Sequence, residues 1–551
     1  MVSCHKSTEY VIGKNIDGLP HYFVKLTKKR LSHFDVQNSM VLLNSYDNLL
    51  LFLESQLYES TIVNSTDSEG DTLTKSQGLP IPPFDVIMVL FTLVSISSHY
   101  LEPQLNQNNP YNITKIDLNK RATKILNMFI HILKDFNTDL YSQYDLELLR
   151  CQFFLALDLL TCRSRVLSHN RFIFHLNQDN NSSAMEEFLK NPYKSYVSFL
   201  DKKGKVFNNP LIYLIFNKRD KFLNFFLWSL ANSLSSDVVL YTDAREIWIP
   251  LMNILLDLYD LRQKYFLKNE VIKMRKQLFV QQLMQSPLSQ FFSFVNRIEN
   301  FSLTLIEYIF VNCETTNNTN IDRDWVKPIF YKENEFVKGY VNRFKYNKQF
   351  QLQEAMKLRK KILSHCFQLL LALPPNHVMP LMKMKPEEIL SHIAVFLQKF
   401  TDLDQFKAFF QIYDLQMELA FMPLVIEKTI NKLTADLCPE PFDLVNRIIS
   451  FTGFIDEWIN VVEMYLMVSI GLVVENSQYI SLRKVEICLY FLFEYFELII
   501  HEDSIKKSSY MNKIINILTE YQTKVYFLKR KFTNDNLKEP TGFDLIIEKY
   551  V

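Results

Sequence analysis

Two pairs in the chain place a carboxylate four residues before an imidazole: Glu388 with His392, and Glu497 with His501. On a helix that spacing puts both groups on one face. Such a face can hold a metal or move a proton, and it equally reads as a plain polar helix surface. No HExxH occurs, and no Glu stands three residues before any of the 11 histidines. The zinc-protease and di-iron bundle patterns are therefore missing. Asp257 with Asp260, and Asp402 with Asp404, are acidic pairs, but neither completes the DDxxD that holds magnesium in helical isoprenoid enzymes. They read as solvated helix positions. Walker, GxGxxG and GxSxG patterns are absent, so the usual phosphate cradles and the hydrolase elbow are absent too. No catalytic residue, cofactor or metal ligand is assigned.

Basic residues cluster at Lys28-Lys29-Arg30, Lys202-Lys203 with Lys205, Arg359-Lys360-Lys361, and Lys529-Arg530-Lys531. Each run is short and reads as a solvated helix face or terminus, with contact to an acidic partner or nucleic acid as the alternative. Two segments place aliphatic triplets beside acids. Leu498, Ile499 and Ile500 precede His501-Glu502-Asp503, and Leu545, Ile546 and Ile547 lie between Asp544 and Glu548. The pattern resembles SUMO-interacting motifs, which add a strand to a sheet edge. The competing reading of the first is core packing at the end of an apolar helix. That of the second is a tail docked on the body by the same aliphatics.

The elements that carry these residues are helices. Glycine occurs 9 times in 551 residues, far below the roughly 7 % of average proteins, so devices that need positive φ are scarce. Hydrophobic residues make up 48 % and aromatics 14 %, enough for a large core. Formal net charge is +1, without the basic excess of a nucleic-acid-coating surface. Seven scattered cysteines with no CxxC read as reduced thiols in an intracellular compartment, with Cys366 and Cys488 as core filler. The N-terminal residues show no secretory signal. The most apolar run, Val86 to Ile96, is too short for a membrane span and reads as a buried helix.

Apolar spacing of three and four predicts helices almost throughout. Leu118, Ala122, Ile125, Phe129, Ile132 and Phe136 form one stripe. Val36, Met40, Leu43, Leu50, Leu53 and Leu57 form another. Pro82-Pro83, Asp243 to Glu246, Ser286-Pro287 and Lys385-Pro386 mark helix starts, and Pro374-Pro375 a stop. The expected fold is all-α, an elongated, irregular solenoid-like scaffold without significant sheet. Its N-terminal helical region is 1–311, interrupted by an acidic disordered loop at 59–80 and a loop at 168–191. An irregular connection at 312–350, a C-terminal helical region at 351–535 and a tail at 536–551 follow.

Several strings share a further property. HYFVKLTKKRLSHFDVQNSMVLLNSYDNLLLFLE (21–54), PFDVIMVLFTL (83–93), YDLELLRCQFFLALDLLT (144–161), NPYKSY (191–196), EIWIPLMNILLDL (246–258) and SPLSQFF (286–292) resemble, in order, the non-SMC element five family. This family supplies a subunit of the SMC five–six chromosome complex in budding-yeast-type fungi. The likeness covers much of 21–313; beyond Asn317 it lies in helical character and length. It implies a non-enzymatic nuclear, chromosome-associated subunit that forms a heterodimer with non-SMC element six. That pair would engage the SMC head region, restrain its ATPase and promote loading on DNA during repair and recombination. The resemblance also implies contact with SUMO, its conjugating enzyme and the SUMO-ligase subunit, with DNA touched mainly indirectly and no membrane association. The alternative is a generic helical adaptor of another intracellular complex.

Overall fold

The computed structural model describes residues 27–66, 79–95, 113–161, 219–234, 247–268, 301–313, 352–499, 509–532 and 542–550, with breaks at 44, 383 and 447–450 and a few single positions between 280 and 289. Among these residues helices are joined by turns, and no β-strand occurs. The all-α expectation is met. The described helices fall into two compact units.

The first unit contains α1 (Lys28–Leu42), α2 (Tyr46–Thr66), α3 (Phe84–Val94), α4 (Ile113–Asp135), α5 (Gln143–Thr161), α6 (Arg219–Asn232) and α7 (Ile249–Lys268). The apolar run after Pro83 forms α3, with eight buried residues from Val86 to Val94. A helix apolar on every side must be surrounded, and α3 packs against α1, α4 and α5. Gln152 of α5 fixes its start by accepting from the Phe84 amide at 2.9 Å. On α4, Leu118, Ala122, Ile125 and Phe129 are buried as the stripe requires. Phe136 lies just past the helix end with φ 44°.

The stripe from Val36 to Leu57 is corrected. It crosses the break between α1 and α2, and Val36 and Leu43 are exposed. Helix α1 instead buries Leu31, Phe34 and Val41 together with Gln37 and Asn38. The reason lies in the segment before α3. Arg30 donates to the Leu79 carbonyl at 2.8 Å, and Gln37 donates to the Ile81 carbonyl at 3.1 Å. Polar side chains thus occupy the inner face and satisfy an otherwise irregular backbone. The loop expected at 59–80 is also shorter at both ends. Helix α2 continues to Thr66, and Leu79 and Pro80 are buried. Residues 67–78, the loop at 168–191, the starts at 243–246 and 286–287, and the connection after 313 lie outside the described residues.

The second unit begins earlier than expected, with α8 (Phe301–Ile309). It continues with α9 (Leu352–Ala372), α10 (Pro375–Met382), α11 (Pro386–Gln398), α12 (Leu403–Phe410), α13 (Leu415–Glu418), α14 (Met422–Thr434) and α15 (Phe451–Val461). A π-helical turn at Val462–Leu466 leads into α16 (Met467–Ile470), followed by α17 (Asn476–Ile499), α18 (Ser509–Phe532) and α19 (Gly542–Tyr550). Helix α11 packs on α8, α9 and α14, and α14 packs on α17. Phenylalanine fills the joints. Phe310, just after α8, stacks on Phe396 of α11 at 5.0 Å between centroids and meets Phe409 of α12 at 5.4 Å. Such pairs each add about 0.5–1.5 kcal/mol beyond area burial. This contact places α8 in the second unit.

The tail is corrected as well: residues 542–550 form a helix packed on α17 and α18. Phe543 is fully buried, 5.7 Å from the Trp458 ring and 5.5 Å from Tyr521 between centroids. Lys549 pairs with Glu497 at 3.0 Å. Gly542 lies against the Tyr490 ring so closely that a Cβ there would collide with it. Gly542→Ala is therefore expected to loosen α19 selectively. Hydrogen exchange would show faster exchange in 542–550 with little change in α11 and α14. Unchanged protection would mean that the ring yields instead.

Candidate interaction surfaces and the buried cations

The residues whose spacing suggested chemistry are held in structural roles. Glu388 accepts from the Lys385 amide at 2.9 Å and starts α11, which opens on Pro386 as expected. His392, one turn on, has its pKa lowered by burial, against a weaker opposing influence from Glu388. Glu497 is engaged by Lys549 and by the Tyr550 hydroxyl, and His501 lies outside the described residues. Asp257 pairs with Lys134 at 2.8 Å, and Asp260 with Lys264 at 2.7 Å. Asp402 caps α12, its Oδ1 accepting from the Asp404 amide at 2.8 Å. Among the described residues no group of three or more His, Cys, Asp or Glu is placed to share a metal. None of their helices is long and apolar enough to cross a membrane.

The basic clusters need a larger correction. Arg30 is buried against Asp145 at 2.5 Å. Arg359 and Lys360, read as part of a solvated face, are fully buried. The last carbonyls of a helix have no partner within it, and buried cations answer them at three places. Arg359 donates to the Val311 carbonyl at 2.9 Å, just past α8. Lys360 donates to the carbonyl of Gln411, the residue that ends α12. Lys484 of α17 donates to the carbonyl of Gln398, the last residue of α11, at 2.7 Å. Each cation meets the negative end of a helix dipole. The Lys202–Lys205 run lies outside the described residues. Lys529 to Lys531 sit on α18, with side chains outside the description.

Lys360 also forms a buried ion pair with Glu418 at 2.8 Å. The carboxylate accepts from the Tyr495 hydroxyl at 2.7 Å and from the Tyr413 and Asp414 amides at 3.3 Å. The Lys360 ammonium lies 4.5 Å from the Tyr413 ring centroid, a cation–π contact. Burial lowers its pKa to about 8 despite Glu418. Burial does the same to Lys484, also to about 8.

These shifts fix the sign of a pH effect. Between about 8 and 10.5 the unfolded chain holds a proton on Lys484 that the folded chain has released. Stability contributed at this site therefore rises with pH across that window. Lys484→Met is expected to flatten that rise, read as the difference between wild type and variant in the urea midpoint of the transition that unfolds the second unit, from pH 7 to about 9.5. Equal pH slopes would show that Lys484 keeps its proton in the folded chain. Above that range buried Tyr495 and Tyr521, whose pKa values are raised by burial, pull the other way.

Both aliphatic motifs are helical in the structure. Leu498 and Ile499, expected to pack in the core, are 53 % and 43 % exposed at the end of α17; Ile500 lies outside the described residues. In the tail, Ile546 is buried, Ile547 half-buried and Leu545 exposed on α19. This is the docked arrangement. Apolar exposure is larger elsewhere: Met464, Val468, Leu472 and Val474, around the π turn and α16, are each more than half exposed.

The described residues thus offer a helical body whose candidate catalytic groups are engaged in structure and whose open features are apolar helix surfaces. A profile of the DNA repair proteins Nse5 and Nse6 matches residues 1–511. The chain is 36 % identical over 491 residues to "Non-structural maintenance of chromosome element 5" of Saccharomyces cerevisiae, covering 86 % of this chain and 85 % of that relative. The relationship therefore runs well beyond the quoted strings, which end at residue 292, and beyond Asn317, after which that likeness lies in helical character and length. On this agreement along most of its length, the chain belongs to the family of DNA repair proteins Nse5 and Nse6.

Proposed function

We propose that this chain is a non-catalytic, chromosome-associated nuclear subunit of the SMC five–six complex. It pairs with non-SMC element six, restrains the SMC ATPase at the head region and promotes loading on DNA. The family relationship over residues 1–511 is the observation that carries the reading. The engagement of Glu388, Asp257, Asp260, Asp402 and Glu497 in caps and ion pairs supports a role through surfaces rather than chemistry. Near-neutral charge supports DNA contact made mainly through partners.

Co-expression with non-SMC element six tests the pairing. A stable one-to-one complex that also retains the SMC five–six core is expected. Recovery of the chain alone, with neither partner retained, would reject the proposal.

Contact with SUMO, its conjugating enzyme and the ligase subunit is assigned to accessible aliphatics. Leu498 and Ile499 are exposed in the last turn of α17, so strand addition there needs only that turn to unwind, whereas strand addition by Leu545, Ile546 and Ile547 needs α19 to undock and unwind. Replacing Leu498 and Ile499 by Ala is expected to reduce SUMO capture by about tenfold, the equivalent of roughly 1.4 kcal/mol of lost aliphatic burial. Leu545→Ala should leave capture unchanged. The reverse ranking would assign the contact to an undocked tail.

A further inference from the structure

The run from Val461 to Val474, VVEMYLMVSIGLVV, is apolar apart from Glu463 and Ser469. Its inner residues Val461, Val462, Tyr465, Leu466 and Val473 are buried. Its outer residues Met464, Val468 and Leu472 recur every four positions, 51–58 % exposed, and Val474 beyond them is 71 % exposed. A helical segment that keeps a row of large aliphatics exposed while its opposite face is buried marks an interaction surface. The π turn at Val462–Leu466 lies at the start of this ridge, and such turns often mark functional sites. Leu437, exposed at the end of α14, flanks it: the Tyr465 hydroxyl donates to the Leu433 carbonyl at 3.3 Å, and the neighbouring Cys438 thiol faces the Met464 carbonyl at 3.9 Å.

Along the chain the flanks of this ridge are mainly acidic, with exposed Lys432 one turn before Leu437 and exposed Lys513 and Lys524 on α18, the helix packed against α16 and the π turn. From Ala435 to Tyr479 the chain carries seven acidic residues and one basic residue, Arg447. Asp436, Glu440, Glu463 and Glu475 adjoin the ridge residues in sequence and are exposed. Asp456 lies two turns before Met464 along the same helical run and is also exposed. Exposed aliphatics at four-residue spacing form a ridge that fits the groove of a facing helix. Met464 to Leu472 spans eight rises of 1.5 Å, about 12 Å, enough for about two turns of a partner helix.

We propose that the ridge Met464–Val468–Leu472, with Leu437 and Val474, is a docking site for a basic amphipathic helix of a protein partner. Large aliphatic or aromatic side chains of that helix would cover the ridge, and its lysines or arginines would meet Asp436, Glu440, Glu463 and Glu475. The assignment names a surface and the chemistry of its ligand. It does not depend on non-SMC element six being that partner.

The test uses the full chain and three synthetic peptides of 18 residues in fluorescence anisotropy. The first is a Lys/Leu amphipathic helix, the second replaces every Lys by Glu, and the third breaks the first with central prolines. The Lys/Leu helix is expected to bind at least about tenfold tighter than either control, with affinity falling as salt rises. M464S/V468S, at exposed positions and therefore compatible with folding, is expected to weaken it by about tenfold. L51S, at an exposed position on α2, should not. Equal binding to M464S/V468S, or equal binding of the proline-broken peptide, would overturn the proposal. So would self-association of the chain that M464S/V468S abolishes, which would make the ridge a contact between copies. Heterodimer formation with non-SMC element six, measured in parallel on the wild-type chain, judges the proposed function separately from the peptide result.

Discussion

Glu418→Ala is expected to destabilise the second unit by about 3–5 kcal/mol, the usual consequence of stranding one member of a buried ion pair. Lys360 is 0 % exposed and Glu418 about 1 % at their side chains, so water cannot replace the lost partner. The substitution also removes the acceptor of the Tyr495 hydroxyl and of two amides at the start of α13. Glu418→Gln should cost less, since it keeps an acceptor in place while losing the charge. The double replacement Lys360→Met with Glu418→Leu is expected to recover most of the loss, because exchanging a buried pair for apolar groups is often neutral or better. The chain contains two units, so one global midpoint would mix them. Hydrogen exchange in α9, α12 and α17 isolates the response. Unfolding protection in α9 unchanged by Glu418→Ala would mean that Lys360 turns out to solvent or sheds its proton at no cost.

That ion pair also marks where the sequence stops being readable. Helix class followed from glycine scarcity and apolar spacing, and the punctuation at Pro83, Pro374 and Pro386 fell at element ends. A run such as Arg359-Lys360-Lys361 looks the same whether it faces water or carbonyl oxygens. What buries it is the ends of α8 and α12, brought near α9 only by tertiary packing. The α1 stripe failed for a related reason. Gln37 and Arg30 are inside because irregular backbone at 79–81 needs donors, a demand that no periodicity reports. Leu498 and Ile499 looked like the end of a core helix, and exposure there depends on where α17 outruns its neighbours. The ridge at 464–474 did have a signal. Its apolar residues exceed what one buried face can use, unlike the one-sided stripe of α4. Helix excess of that kind points to a missing neighbour, although the side left open is fixed only by packing.

Adding this chain with its partner to an SMC five–six core is expected to change the rate of ATP hydrolysis, while this chain alone hydrolyses none. In the proposed function SMC heads act only when two meet face to face. A helical body bound beside them changes the rate only if it binds one head arrangement more tightly than the other. A preference of about 1.4 kcal/mol for separated heads lowers a small engaged population about tenfold, and hydrolysis falls with it. The acidic rim and near-neutral body give little direct attraction to DNA. DNA should therefore counteract the inhibition through the core, by favouring a competing head arrangement and not by displacing the subunit. Steady-state hydrolysis, measured with and without the heterodimer and DNA at concentrations where binding is independently established, separates these cases. Inhibition relieved by DNA with the heterodimer still bound supports restraint by population shift. Relief accompanied by dissociation would make the effect simple competition. A rate unchanged in every combination would remove the regulatory mechanism and leave a tethering role, in which surfaces such as the 464–474 ridge hold partners together without altering the heads.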